Sequence, residues 1–281
     1  MKSHFTLSLP LLAALVLTLS GCGQSEEAAR QARIDAAQAN LEFSEGGQLL
    51  AKAIEAHGGL EPWFGNGLLK FRWIYRMQDR GPEAVVDTVQ TIDPWSSMAV
   101  HEVPGGEITF GWTGEEAWIL PADAEFSPPP HFWSLTPFYF LGVPFVLADP
   151  GTNHELLPDT VAFEGTDYPM VKVTFDAGTG ESPDDYYKVL IHPETNQVAG
   201  VIYIVTDKKV NPDGNWIEKL LSYDTYQEVN GVKLPTIYRS FSINEDGTIG
   251  EKIREAEALD IEYLPAGSVD FGVPDGAKVY E

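Results

Sequence analysis

Leu69-Lys70-Phe71-Arg72-Trp73-Ile74-Tyr75-Arg76-Met77 is the stretch that decides the architecture. Apolar residues fall on every second position, and only Ile74 breaks the polar side. Successive strand side chains point to opposite faces, so this period of two builds a β-strand with one strongly aromatic face. Further strand candidates follow at Ala84 to Ile92, Ser97 to Val103, Glu107 to Trp112 and Glu116 to Leu120, with Gly105-Gly106 and Thr113-Gly114 as turns. Strands resume at Thr160 to Glu164, Met170 to Asp176, Asp185 to His192, Val198 to Thr206, Glu218 to Val229, Leu234 to Asn244 and Lys252 to Leu264. Asn230-Gly231 and Glu245-Asp246-Gly247 supply hairpin chemistry between them. The connections are too short for crossover helices, which argues against a parallel sheet. The expected fold is mainly β with a few helices: a large antiparallel sheet rolled into a barrel or half-barrel.

Upstream, Leu49, Leu50, Ala53, Ile54 and His57 have helical spacing, and Gly58-Gly59 makes a natural C-terminal stop. His57 reads as a cap there, favoured by the helix dipole. Residues 23 to 45, rich in Ala, Gln and Glu, read as a marginal helix or a disordered tether, so the domain proper is expected to begin near Gly46. Between the two strand series lies a segment of different character. Ser127 to Pro130 is a proline block, and Phe132 to Leu147 is a bulky apolar run containing Trp133, Phe138, Tyr139, Phe140 and Phe145. It is too short and too broken by proline to span a bilayer. Within a rolled sheet it could be permanent core or a movable lid.

The chain starts with Lys2, an apolar run from Phe5 to Leu19, and Leu19-Ser20-Gly21-Cys22. That run falls below the roughly 18 to 20 residues of a permanent membrane helix and reads as a secretory signal. Leu-Ser-Gly-Cys resembles the lipobox of bacterial lipoproteins, which implies cleavage before Cys22 and acylation of that residue. Two or three acyl chains anchor durably, at about 0.8 kcal/mol per buried CH2. The expected organisation is a signal peptide at 1–21, a lipidated N-terminus and tether at 22–45, and a domain at 46–281. Gly23 in place of Asp favours the outer membrane, facing the periplasm.

Composition narrows the partners. With 42 Asp and Glu against 18 Lys and Arg, the net charge is −24, which argues against nucleic acid as a partner and opposes docking on anionic head groups. Cys22 is the only cysteine, so the domain has no disulfide, no thiolate metal site and no cysteine nucleophile. His57, His101, His131, His154 and His192 form no His-x-x-x-His or Glu-x-x-His arrangement, and no Gly-x-Ser-x-Gly elbow occurs. Asp184-Asp185 would point to opposite faces of a strand and reads as a solvated strand entrance. Gly178 to Gly180 lacks the Lys-Ser or Lys-Thr of a phosphate cradle, and Asp207 to Gly214 has too few ligands for a calcium loop. These readings predict no enzyme, no metal and no cofactor.

Residues 46 to 275 resemble the LolA-like superfamily of periplasmic lipoprotein carriers and lipid-binding lipoproteins. The echoes are Ala56-His57-Gly58-Gly59, the aromatic strand after it, Asp185-Tyr-Tyr-Lys-Val-Leu-Ile-His-Pro-Glu-Thr-Asn196 and Tyr226-Gln-Glu-Val-Asn-Gly-Val-Lys-Leu-Pro-Thr-Ile-Tyr238. Pro137 to Gly151 looks like uncharacterised lipoproteins of this superfamily. The resemblance implies an unclosed barrel of about 11 antiparallel strands, with helices over a concave apolar face that holds acyl chains. The apolar cavity candidates are Phe71, Trp73, Tyr75, Phe110, Trp112, Trp118, Phe138, Phe140 and Phe145, each of which could equally be ordinary core. The partners expected are a lipid or acyl chain, the membrane through lipidated Cys22, and another envelope lipoprotein. A structural or adaptor lipoprotein with a filled core is the alternative.

Overall fold

The structure, a computed structural model, describes residues 21–177, 184–208, 211–214 and 216–280, with side chains from residue 27 onward. The expected signal segment and the Gly178–Gly180 loop lie outside the described residues, as does the side chain of Cys22. Helix α1 (Gly21–Glu42), α2 (Glu45–Ala56) and α3 (Leu60–Gly65) precede strands β1 (Leu68–Arg76), β2 (Val85–Ile92), β3 (Ala99–Glu102), β4 (Thr109–Trp112) and β5 (Ala117–Leu120). The insert holds α4 (Pro130–Trp133), α5 (Thr136–Leu141) and a 3-10 turn over Phe145–Ala148. Then follow β6 (Thr152–Phe163), β7 (Thr166–Phe175), β8 (Tyr187–Ile191), β9 (Val198–Tyr203), β10 (Lys219–Val229), β11 (Val232–Ile243), β12 (Ile249–Leu264) and β13 (Lys278–Tyr280).

Among the described residues, 13 strands form one antiparallel sheet in the order β13-β5-β4-β3-β2-β1-β12-β11-β10-β9-β8-β7-β6. Hairpins make most of it. Two pairings join distant chain segments: β1 with β12, where Tyr75 faces Ala256, and β13 with β5. The end strands β13 and β6 do not pair, so the sheet curls without closing. The sheet has one strand more than the twelve segments that alternation marks, against about 11 implied by the resemblance, and one strand starts earlier than marked. Lys278–Tyr280 is too short to show a period, and β6 begins eight residues before Thr160 because its first half alternates buried Thr152 and His154 with exposed Asn153 and Glu155.

Leu69, Phe71 and Trp73 of β1 are buried on the concave side, as their alternation predicts. Strands β7 to β10 bury both faces. Val171, Val189, Val201 and Leu221 enter the main core, while Met170, Leu190, Ile202 and Leu220 pack in a smaller cluster on the opposite side.

Helix α1 runs through the residues expected to form the tether and packs on the rest of the chain. Ile34, Ala37 and Leu41 form one buried stripe of α1 at helical spacing. Arg33 reaches Asp149 at 2.7 Å and lies over the Phe64 and Trp95 rings, and Asn40 Nδ2 donates to the Thr152 carbonyl at 3.0 Å. The packed domain therefore begins near Arg33, because this narrow stripe finds a partner surface that composition alone does not reveal. Ser44 caps α2 by accepting from Gly47 N at 3.0 Å, and its hydroxyl donates to the His154 carbonyl at 2.7 Å. A Cβ at Gly47 would stand 2.2 Å from the Leu41 carbonyl oxygen, so only glycine lets α2 turn this tightly off α1.

The Ala56-His57-Gly58-Gly59 motif joins this helix to the sheet. His57 is the C-cap residue, fully buried, with Nδ1 2.8 Å from the Lys233 carbonyl and Nε2 3.1 Å from Val198 N–H. A carbonyl can only accept and an amide N–H only donate, so the imidazole carries its proton on Nδ1 and is neutral. Burial lowers its pKa to about 4. The dipole expectation thus gives way: a neutral ring cannot exploit the helix C-terminus as a cation would. Gly58, at φ +115°, follows so close to β11 that a Cβ would lie 2.0 Å from the Gly231 carbonyl oxygen.

Candidate functional site

A cavity of about 970 Å3 lies between the concave sheet face and the insert. Its sheet wall comprises Trp73 and Tyr75 of β1, Trp112 of β4, Phe175 of β7, Tyr187 of β8, Tyr203 of β9, Leu221 of β10 and Ala256 of β12. Pro128, Pro129, Phe132, Trp133, Thr136, Tyr139 and Phe140 from the insert face them. The β9–β10 connection adds Ile204, Val205, Asn211 and Ile217. Aromatic packing shapes the floor: Phe140 meets Tyr203 edge-on at 4.9 Å, and Trp133 meets Tyr75 at 5.7 Å.

The nine sequence candidates divide in two. Trp73, Tyr75, Trp112 and Phe140 line the cavity. Phe71, Phe110, Trp118, Phe138 and Phe145 are buried in closed packing away from it. Phe145 and Phe138 stack on Trp63 of α3 at 4.6 Å and 5.8 Å, and Phe110 stacks on His101 at 4.6 Å. Alternation puts a residue on the concave side; it does not say whether helix, insert or empty space stands opposite. Tyr187, Tyr203, Phe132 and Tyr139 complete the lining. The strand alternation of Tyr187 with Val189 and of Tyr203 with Val201 was the available signal for the first two.

The insert is a fixed wall. Three of its carbonyls accept from sheet side chains. Ser134 O takes Gln90 Nε2 at 2.7 Å and His101 Nε2 at 3.1 Å, Phe140 O takes the Tyr223 hydroxyl at 2.8 Å, and Leu147 O takes His154 Nε2 at 2.8 Å. Gln90, His101 and Ser134 are fully buried. A buried carbonyl that loses such a partner costs about 1 to 3 kcal/mol, so moving the insert as a unit would forfeit several such bonds. Burial lowers His101 to about 3 and His154 below the ordinary histidine range, keeping both neutral. Between core and lid, the segment after Thr136 is core on its Phe138, Leu141 and Phe145 side and cavity wall on its Tyr139 and Phe140 side.

The mouth is polar. His131 of α4 approaches Asp207 of the β9–β10 connection, Nε2 to Oδ2 3.2 Å. Asp185 departs from the solvated entrance expected for it. Its Oδ1 accepts from Thr206 N at 2.7 Å and Thr206 Oγ1 at 2.6 Å, and burial raises its carboxyl above the usual range. Asp184 is exposed, so the two carboxylates do not act together. Among the described residues no three His, Cys, Asp or Glu side chains come together to hold a metal ion. No helix among them is long and apolar enough to cross a membrane.

No protein family model matches the chain, and no curated protein matches it in sequence. Among solved structures it is similar to a LolA superfamily protein from Nitrosomonas europaea, at 11% identity and a TM-score of 0.49, over 82% of this chain and 95% of that one. It is similar also to a domain named for outer membrane lipoprotein sorting from Vibrio parahaemolyticus (10%, TM-score 0.48, 83% and 95%). A DUF1329 family protein from Desulfovibrio piger stands close behind (10%, TM-score 0.47, 83% and 96%). The first of these structures carries the name of the superfamily that the residues resemble.

Proposed function

We propose that this chain is a membrane-anchored envelope lipoprotein that holds an apolar chain, from a lipid or another lipoprotein, in the cavity between sheet and insert. The observation that carries the reading is the cavity itself: about 970 Å3, walled by aromatic rings and bounded by an insert that hydrogen bonds hold in place. Small-molecule sites typically span about 300 to 1,000 Å3 and are lined mostly by apolar and aromatic side chains. Each buried CH2 contributes about 0.8 kcal/mol, so a chain of about 14 carbons offers on the order of 11 kcal/mol before the costs of association. A preformed wall keeps those costs low, because no insert movement has to accompany binding.

Cys22 supplies the anchor in this reading. With packing contacts starting at Arg33, and a helical rise of about 1.5 Å per residue, only about 16 Å of α1 separates the acylated residue from the domain. The cavity then works close to one bilayer and receives or holds its ligand there, without free diffusion between membranes. Native mass spectrometry of the full chain, released from detergent in the gas phase, tests the reading. A reproducible non-covalent lipid mass beyond the covalent acyl groups supports it. A bare mass, together with no uptake of a fluorescent fatty acid, refutes it.

A further inference from the structure

One rim of the cavity collects positive charge in a molecule that is otherwise strongly acidic. Topology brings three cations there: Arg80 on the 3-10 turn after β1, Lys219 at the start of β10 and Arg254 near the start of β12. Their situations differ. Arg254 is committed, with Nε and Nη2 on the Asp79 carboxylate at 2.8 and 2.6 Å and Nη1 3.1 Å from the Tyr75 hydroxyl. Lys219 sits on the same strand face as Leu221, across from Tyr203, and its ammonium has no hydrogen bond or ion pair among the described residues. Arg80 is exposed and likewise unpaired among them. Burial, and after it Arg254, hold the Lys219 ammonium below the ordinary lysine range.

That is an unfavourable place for an idle lysine. The chain offers 42 carboxylates to its 18 Lys and Arg, yet Lys219 faces Arg254 and Arg80 and an aromatic floor, with only the Arg254-bound Asp79 carboxylate acting in its favour. The nearby acids are engaged or outside: Asp79 by Arg254, Asp185 by Thr206, and Asp213 exposed in the β9–β10 connection. A buried or half-buried charge without a partner is costly, and an anion arriving from outside would remove that cost.

The geometry points to a seat for an anionic head group, carboxylate or phosphate, between Lys219 and Arg80, with its apolar chain running inward over Tyr75, Tyr203 and Phe140. This rests on the apolar-chain reading above and narrows it: the ligand is an anionic amphiphile, not a neutral one. Tyr75 and Arg254, locked to each other and to Asp79, form the fixed edge against which the head group settles.

Photo-crosslinking of the full-length chain in its own membranes tests the proposal. Four photoactivatable probes are compared: oleate, oleyl alcohol, phosphatidylglycerol and phosphatidylcholine, with labelled peptides mapped by mass spectrometry. The expected result is labelling of cavity peptides about tenfold stronger for an anionic probe than for its neutral counterpart, the factor a charge-assisted contact provides. Preference for oleate identifies a free fatty acid, and preference for phosphatidylglycerol identifies a phospholipid. Lys219→Met should abolish the preference, Lys219→Arg should restore it, and Arg80→Gln, at an exposed position, should reduce it. Equal labelling by charged and neutral probes, unaffected by these substitutions, overturns the head-group seat and leaves the apolar-chain reading standing. No labelling of cavity peptides by any probe overturns both.

Discussion

His57 should make this fold acid-sensitive in a way that one substitution removes. In the folded state its ring is neutral, donating from Nδ1 to the Lys233 carbonyl and accepting at Nε2 from Val198 N–H. Protonating Nε2 would set an N–H against an N–H in a site closed to water. The folded pKa is accordingly about 4, against about 6.5 in the unfolded chain. As pH falls below about 6.5 the unfolded state takes up a proton that the folded state refuses, so stability is lost through the window from about 6.5 to 4 and levels off below it. Evaluating that linkage between about pH 7 and about pH 4.5 gives a loss of about 2.4 kcal/mol from this residue alone. His101 and His154, also neutral by burial, add losses of the same sign, and carboxylates contribute their own. The comparison must therefore be between wild type and His57→Gln, whose amide can donate and accept as the imidazole does but does not titrate. Urea unfolding followed by tryptophan fluorescence at both pH values should show the variant weaker at neutral pH by about 1 to 3 kcal/mol through poorer hydrogen bonds. It should also show a pH-dependent loss smaller than that of wild type by about 2.4 kcal/mol. Identical pH dependence in the two proteins, or an NMR titration of folded His57 near its ordinary value, would refute the reasoning.

Three further outcomes follow from the same geometry. Phe145→Ala, in the stack with Trp63, should cost about 3 to 5 kcal/mol in unfolding experiments and leave ligand uptake per folded molecule unchanged, whereas Phe140→Ala should cost less and change uptake. Tyr223→Phe, which orphans the Phe140 carbonyl, should destabilise by about 1 to 3 kcal/mol and quicken hydrogen exchange in the insert; unchanged exchange would mean the wall is held by other contacts. Cys22→Ala should abolish incorporation of labelled palmitate, and continued incorporation would remove the anchor from the proposed function.

Much of the sheet was legible because period-two patterning is a local property. Twelve of the 13 strands fall within or against the segments that alternation marks, and the aromatic face of β1 points inward as read. The misses share one cause. β13 has three residues, too few to show a period, and the N-terminal half of β6 carries polar Thr152 and His154 on its buried face. Helix α1 hides its contacts in Ile34, Ala37 and Leu41, a stripe too narrow to stand out among Ala, Gln and Glu. In the cavity, Trp73 and Phe71 alternate identically and both are buried, but only Trp73 has space across from it. The polar groups that hold the insert, Gln90, His101, His154 and Tyr223, carry no motif at all. They matter because the curl of the sheet brings them beneath carbonyls that are 7 to 83 residues away in the chain.

By itself the sequence determined strand periodicity, antiparallel connection, the helical start with its His57-Gly58-Gly59 stop, an acidic surface and the lipobox-like Cys22. All of these depend on residues close together in the chain. Only the tertiary structure decided that the insert is a pinned wall, that His57 is neutral, and that Lys219 stands at the rim of an aromatic cavity without a partner among the described residues. Those properties depend on burial and on which distant groups meet, and both are set by how far 13 strands curl before packing stops them.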